Sequence, residues 1–311
     1  MHLLIPHAAP SGPACRQALA SLQLPHLQAL LTHLSPAWNL SVDENRLAPA
    51  SELAHAKALG LPLVDGLVPW AALAAREAGL TPDASYALLT PCHWDIHTQA
   101  VFMADPAQLE LAEDESRTLL AAMQPYFEED GLQLHWLRSD TWLVAGEVLR
   151  DLPTASLARV CNATVDDWIP RQDAAKLLRR LQNEMQMLLY THPVNNAREA
   201  RRAPSINAFW LHGTGTLDAV WQPPAEAVQV ATDLRAATAN DDAAAWTAAW
   251  QALDAGPVQQ ALQAARRGEP VQLTLSSRAH AHSFHTAPLS FWARLQRRFA
   301  PVNVTAFLQT L

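Results

Sequence analysis

The run RQDAAKLLRRLQNEMQMLLYTHPVNNAREARRAPSINAFWLHGTG, Arg171 to Gly215, changes its hydrophobic period along its length, and that change decides the class of fold. Beyond Pro170, the residues Leu177, Leu178, Leu181, Met185, Leu188 and Leu189 recur at three- and four-residue spacing. Arg179, Arg180, Asn183 and Glu184 occupy the other faces, so the spacing predicts an amphipathic helix that Pro193 ends. A loop rich in Asn and Arg follows. INAFWLHG then reads as an apolar strand that closes on Gly213-Thr214-Gly215, two of only ten glycines in the chain.

Upstream, YALLT and IHTQAVFMAD read as strands from Tyr86 onward, and Pro106 to Gln124 as a helix with carboxylates near its start. LQLHWLR and TWLVAGEVL form a strand pair around Ser139-Asp140. Towards the N-terminus, HLLI (His2 to Ile5) is a short strand. Helices are expected at Cys15–Leu22, Pro25–Leu34, Ser51–Leu59 and Pro69–Ala78, the last two stopped by Gly60 and Gly79. Downstream of a Pro223-Pro224 linker, Asn240 or Asp241 caps a helix whose Trp246, Trp250 and Leu253 share a face, ended by Gly256-Pro257. A second helix runs to Arg266-Arg267-Gly268, and VQLTLS is again a strand. Interleaved strands and helices make the class α/β or α+β.

The 311 residues suffice for one large domain or two modest ones. Half are hydrophobic and 17% charged, the composition of a folded globular chain. A net charge of −8 and pI near 5.9 argue against a nucleic-acid partner. Cys15, Cys92 and Cys161 are odd in number and lack a CxxC, which suggests reduced thiols and a cytoplasmic protein. The opening MHLLIPHAAP has no basic run of a secretory leader, and no apolar run reaches the ~20 residues of a membrane helix, so no membrane partner is expected. The 11 tryptophans read first as packing bulk, with ligand stacking as the alternative for one or two.

Three stretches carry side chains suited to chemistry. In PCHWDIH, a strand would put His93, Asp95 and His97 on one face as metal-ligand candidates beside Cys92, or as polar residues of a solvated edge. In RAHAHSFH, His280, His282 and His285 are either metal ligands or a solvated tail. In the loop after the long helix, Asn195, Asn196, Arg198, Arg201 and Arg202 set amide donors and guanidinium forks beside a Gly turn. Such groups suit a phosphorylated organic acid, and a solvated basic loop is the alternative. Neither GxSxG nor HExxH occurs.

The segment Leu181 to Gly215 is similar to a stretch of the cofactor-independent, archaeal-type phosphoglycerate mutases. There a helix precedes a His-Pro-Val/Ile-Asn-x-x-Arg loop, a small-Asn pair, an apolar strand and a Gly-x-Gly turn. Asn183-Glu184, His192-Pro193-Val194-Asn195, Arg198, Asn207, Gly213 and Gly215 fit in order. More closely, RRLQNEMQMLLYTHPVN with Arg198, Asn207, Phe209-Trp210, Gly213 and Gly215 resembles proteins described as RpfE-type regulatory proteins, themselves related to those mutases. The resemblance spans Tyr86 to Gly215.

It implies a distantly alkaline-phosphatase-like architecture: a mixed-sheet α/β core with flanking helices, split into residues 1–84 and 205–311 by an inserted α+β region, residues 85–204. In the mutases it also implies a two-metal centre and a Ser nucleophile for phosphoryl transfer. Here no Asp precedes Asp43, and His212 stands where the archaeal enzymes tend to have Arg. The expectation is therefore a non-catalytic regulatory or ligand-sensing relative without a cofactor. A small phosphorylated or carboxylate anion would be its ligand, held by His192, Asn195, Arg198, Asn207, His212, Gly213 and Gly215, and a protein partner is compatible with that role. One alternative is an active mutase or phosphatase-like enzyme whose divalent metal draws on His93, Asp95, His97, His280 or His282. The other is a protein-interaction scaffold in which the Arg loop is structural.

Overall fold

The computed structural model describes residues 1–81, 84–98, 100–287 and 302–311. In chain order its strands are β1 (His2–Ile5), β2 (Leu34–Ser41), β3 (Tyr86–Cys92), β4 (Trp94–Ile96), β5 (Val101–Met103), β6 (Gln133–Arg138), β7 (Thr141–Ala145), β8 (Ala208–His212), β9 (Val228–Val230), β10 (Gln272–Ser276) and β11 (His280–Thr286). The helices are α1 (Pro13–Leu19), α2 (Pro25–His33), α3 (Ala50–Ala58), α4 (Trp70–Glu77), α5 (Glu113–Glu129), α6 (Leu157–Val160), α7 (Lys176–Tyr190), α8 (Pro193–Ala200), α9 (Leu234–Ala239), α10 (Ala243–Leu253), α11 (Gln259–Arg266) and α12 (Val304–Thr310). They divide into two compact units. Unit 1 comprises residues 1–45, 49–60 and 222–311, and unit 2 residues 46–48 and 61–221.

Unit 1 is built on a mixed sheet of order β2-β11-β10-β1-β9. β1 lies parallel to both β10 and β9, with Ile5 opposite Leu275 and Leu3 opposite Gln229, whereas β11 runs antiparallel to β10 and β2. The period of two in HLLI sends Leu3 and Ile5 to one face. There they join Leu273 and Leu275, the Leu27, Leu30 and Leu31 stripe of α2, and Trp246 and Trp250 of α10. The two indoles meet edge-on with centroids 6.3 Å apart, so these tryptophans are core bulk. The other face is polar at its centre: His2 Nε2 lies 3.0 Å from the Thr274 hydroxyl, which donates to Ser283 Oγ at 3.0 Å.

Unit 2 is built on an antiparallel sheet of order β6-β7-β3-β8. The predicted amphipathic stripe buries Leu178, Leu181, Met185 and Leu189 of α7 beside Leu119, Met123 and Phe127 of α5. Both helices pack on Ala87, Leu89, Trp142, Val144, Phe209 and Leu211 of the sheet. Removing one such leucine, as in Leu181→Ala, costs about 2–5 kcal/mol. On the opposite face Ala71 and Ala75 of α4 pack against Tyr86 and Leu143. β4 and β5 form a separate hairpin.

Several expectations are corrected. Unit 2 takes in both α4 and β8: α4 packs on β3, and β8 pairs with β3, with Leu89 opposite Leu211. The helix expected from Pro106 is a 3-10 turn, Pro106–Leu109, broken at left-handed Glu110 before α5 begins. Gly256-Pro257 does not end a helix: a π-turn over Asp254–Val258 carries the chain from α10 into α11. RAHAHSFH is no solvated tail, since His280–Thr286 forms β11 inside the sheet. LSPAWNLS, which carries no clean alternation, pairs with it as β2.

Candidate functional site

Most of the loop over residues 191–203 is helical. His192 caps α8, its Nδ1 accepting from Val194 N at 3.3 Å, and Pro193 occupies the first turn, where the missing N–H costs nothing. Burial lowers the His192 imidazole from its ordinary range. From α8, Asn195 turns inward. Its Nδ2 donates to Leu189 O at 2.8 Å and Ile206 O at 2.7 Å, and its Oδ1 accepts from Ile206 N at 2.8 Å.

Arg198 is fully buried. Its Nε donates to Pro204 O at 2.7 Å, Nη1 to Glu115 Oε2 at 2.7 Å, and Nη2 to Leu109 O. Glu115, in the first turn of α5, also takes Arg201 Nη2 on Oε1 at 2.6 Å, so one carboxylate holds two guanidinium groups. Arg198, expected to bind an anion from solution, instead holds the turn after α8 against the start of α5. A guanidinium withdrawn from water and committed to three acceptors has no face for a diffusing ligand.

Downstream the pattern repeats. Asn207 clamps β4 at both ends of one residue: its Oδ1 accepts from Trp94 N at 2.7 Å, and its Nδ2 donates to Trp94 O at 2.9 Å. His212 closes β8 with Nε2 3.0 Å from the Thr90 hydroxyl, and burial, helped by the charge of Arg138, pushes its pKa down to about 4. Gly213 and Gly215 are both left-handed, at φ +68° and +126°. A Cβ on Gly215 would stand 2.2 Å from Leu67 O, so glycine is demanded there by close backbone approach. Thr214 between them is buried, with its hydroxyl 2.6 Å from Leu152 O and 3.0 Å from Gly66 O. Of the seven residues expected to bind a ligand, Asn195, Arg198, Gly213 and Gly215 are buried, and His192, Asn207 and His212 are half-buried.

The metal candidates separate. His93 Nδ1 lies 2.8 Å from Ser205 O, and Nε2 3.1 Å from Asp95 Oδ1, so both ring nitrogens lie against oxygen atoms of the chain. His97 sits on the hairpin, edge-on to Phe102 at 5.7 Å. On β11, His280 Nδ1 meets the Ser41 hydroxyl at 3.2 Å, His282 packs edge-on against Phe307 at 5.5 Å, and His285 pairs across the sheet with Gln272. Among the described residues no three His, Cys, Asp or Glu side chains converge as a metal would require.

One constellation escaped the sequence reading. Just beyond the carboxyl ends of β1, β9 and β10 lie His7, Arg235 and Arg278. Burial, then the charges of Arg235 and Arg278, hold His7 down to about 4. The available signal was positional. Each residue follows an apolar strand by two to five places, but β9 is only three residues long, VQV, and carries no period of its own.

Solved structures similar to this chain include the following two. One is a cofactor-independent phosphoglycerate mutase from Thermoplasma acidophilum, at 12% identity over 99% of both chains with a TM-score of 0.36. The other is the PH0037 protein from Pyrococcus horikoshii, at 12% identity over 92% of this chain and 87% of that one, with a TM-score of 0.44. At such values neither bears on activity. No family model matches the chain, and no curated protein does. No helix among the described residues is long and apolar enough to cross a membrane.

Proposed function

We propose that this is a non-catalytic, phosphoglycerate-mutase-related regulatory protein that binds a small phosphorylated or carboxylate anion without converting it. The observation that carries the non-catalytic part is the commitment of Arg198 to Glu115, Leu109 O and Pro204 O. Phosphoryl transfer depends on cationic groups preorganised around the transferring group. Here the best such fork of the mutase-like block serves architecture. The anion is therefore received elsewhere than at the Arg198 turn.

The test is turnover. Purified protein is incubated with 2- or 3-phosphoglycerate and with p-nitrophenyl phosphate, with and without Mn²⁺ or Zn²⁺. The expected result is no product under any condition. Metal-dependent conversion of either substrate would establish an enzyme and overturn the reading.

A scaffold role is the second reading, favoured by Met187 and Tyr190. They lie three residues apart on α7 and are 75% and 80% exposed.

A further inference from the structure

The sheet of unit 2 has one open edge. In the order β6-β7-β3-β8, β6 pairs with β7 alone, Leu134 opposite Val144 and Trp136 opposite Trp142. The strand at the other edge, β8, is buried from Ala208 to Leu211, whereas in β6 Gln133 is exposed, Leu134 buried, and His135 and Trp136 half-buried. An edge strand turns alternate N–H and C=O groups away from its partner, where a further strand can bond them. Among the described residues, the backbone of residues 133–136 bonds to β7 and to nothing else. Proteins blunt such edges with charge, proline or a bulge. A bulge does interrupt β6, between Trp136 and Arg138, but Gln133 to Trp136 lies before it and contains no Lys, Arg or Pro.

Beside that stretch α5 leaves a hollow. A cavity of about 380 Å³ is lined by Gln124 and Glu128 of α5, by left-handed Gly131, and by Gln133, Leu134 and His135 of β6. Leu134 belongs to the core that α5 covers, so the hollow lies on the α5 side of the edge. On a strand added to β6, every second side chain would turn to that side. The charge there has one sign. α5 is a 17-residue helix whose C-terminal end carries negative partial charge, and its last turn holds Glu128 and Glu129 with no basic residue. Glu128 Oε1 accepts from the neutral amide of Gln124 at 2.5 Å. The neighbouring cations are committed elsewhere. Arg180 pairs with Asp130, and Arg138 with Asp140 at 2.6 Å. Arg117 pairs with Glu113 at 2.8 Å and lies over the Trp136 ring at 3.7 Å.

We propose that the β6 edge from Gln133 to Trp136 takes a basic, extended peptide segment of a partner protein as an added strand, with a Lys or Arg side chain of that segment entering the α5 hollow against Glu128. Main-chain hydrogen bonds along the edge supply affinity, and the hollow selects the alternate side chain. A second copy of this chain fits less well. Antiparallel pairing of β6 with itself would set the bulge before Arg138 against the Gln133 end of the other copy, and Arg138 is already paired with Asp140. The edge needs no anion, so this inference goes beyond the anion-binding reading, and either can fail without the other.

Isothermal titration calorimetry of the full chain at low ionic strength, with the peptide acetyl-Thr-Lys-Val-Lys-Thr-amide, tests it. The wild type is expected to bind this peptide saturably. The same peptide with Glu for both Lys should bind about tenfold more weakly or worse, and so should the lysine peptide to Glu128→Lys. Glu128 is exposed, so circular dichroism is expected to find that variant folded. Methylating alternate backbone nitrogens of the peptide should abolish binding, because an added strand needs those donors. Hydrogen exchange of residues 133–136 should slow when the lysine peptide is present. The proposal is overturned if that peptide does not bind, if Glu128→Lys binds it like the wild type, if the methylated peptide binds equally, or if exchange at residues 133–136 is unaltered. A dimer in sedimentation velocity that protects those amides without peptide would overturn it in favour of a second copy.

Discussion

Glu115 Oε2 and Arg198 Nη1 lie 2.7 Å apart in the interior of unit 2, eighty-three residues apart in sequence, and join the start of α5 to the turn that follows α8. Breaking a buried pair from one side strands the other charge, which costs about 3–5 kcal/mol. Arg198→Met and Glu115→Gln should therefore each lower the urea midpoint of the protein. The double variant should lose less than the sum of the two, because partners in one network couple. Losses that simply add would show that the pair contributes nothing as a pair. Because the fork faces no solvent, phosphate affinity in any folded Arg198 variant should equal that of the wild type.

Asn207 holds Trp94 by both its N–H and its carbonyl, the geometry of a neighbouring strand compressed into one side chain. Asn207→Ala leaves two backbone groups beside a half-buried site without their partner. The expected cost is roughly 1–3 kcal/mol in unfolding free energy, read by urea denaturation. An unchanged midpoint would mean that water replaces the amide at no loss.

The long helix α7 was legible because Leu178, Leu181, Met185 and Leu189 of its apolar stripe are buried and Leu177 and Leu188 pack partly buried against the same core, so period and packing say the same thing. β10 was legible for a similar reason: QLTLS alternates, and its Leu273 and Leu275 both enter the core. β11 was not. Its alternating histidines look solvated in sequence, yet its alternate residues Ala281 and Ser283 are buried and small, and small residues leave no hydrophobic period. The Arg198 turn misled for a different reason. A guanidinium fork suits a ligand phosphate and an internal carboxylate equally, and only the position of Glu115, on a distant helix, decides between them. The cluster of His7, Arg235 and Arg278 was illegible because its members come from opposite ends of the chain and meet only once the parallel strands pair.

Gly215 and Gly256 should respond differently to the same substitution. A Cβ on Gly215 meets Leu67 O at 2.2 Å, and its φ of +126° disfavours any side chain, so Gly215→Ala should destabilise markedly or yield insoluble protein. At Gly256 nothing lies within 4 Å of the added carbon, and the residue sits within the π-turn between α10 and α11. There the gain from restricting the unfolded chain is offset by the ring of Pro257, which disfavours the helical region for a preceding residue with a side chain, so Gly256→Ala should be close to neutral. Thermal melts of the two variants beside the wild type are the check. A stable Gly215→Ala protein would count against the close approach to Leu67.

Acid should weaken the fold through its buried histidines. His2, His7 and His212 are each lowered from 6.5 to about 4, burial being the largest cause in every case. Above pH 6.5 both the folded and unfolded forms of these groups are neutral, and their stabilising contribution is complete. As the pH falls below 6.5 the unfolded chain takes up protons that the folded one refuses, so stability declines, and the decline levels off near pH 4 when the folded histidines titrate. For His2, the most buried of the three, the loss over that window is at most about 3 kcal/mol. The urea midpoint should therefore fall steadily between pH 7 and pH 4. His2→Gln, which keeps a partner for Thr274 without a titrating ring, should flatten part of that slope. A midpoint that stays constant over the window would show that these imidazoles titrate alike in the folded and unfolded chain.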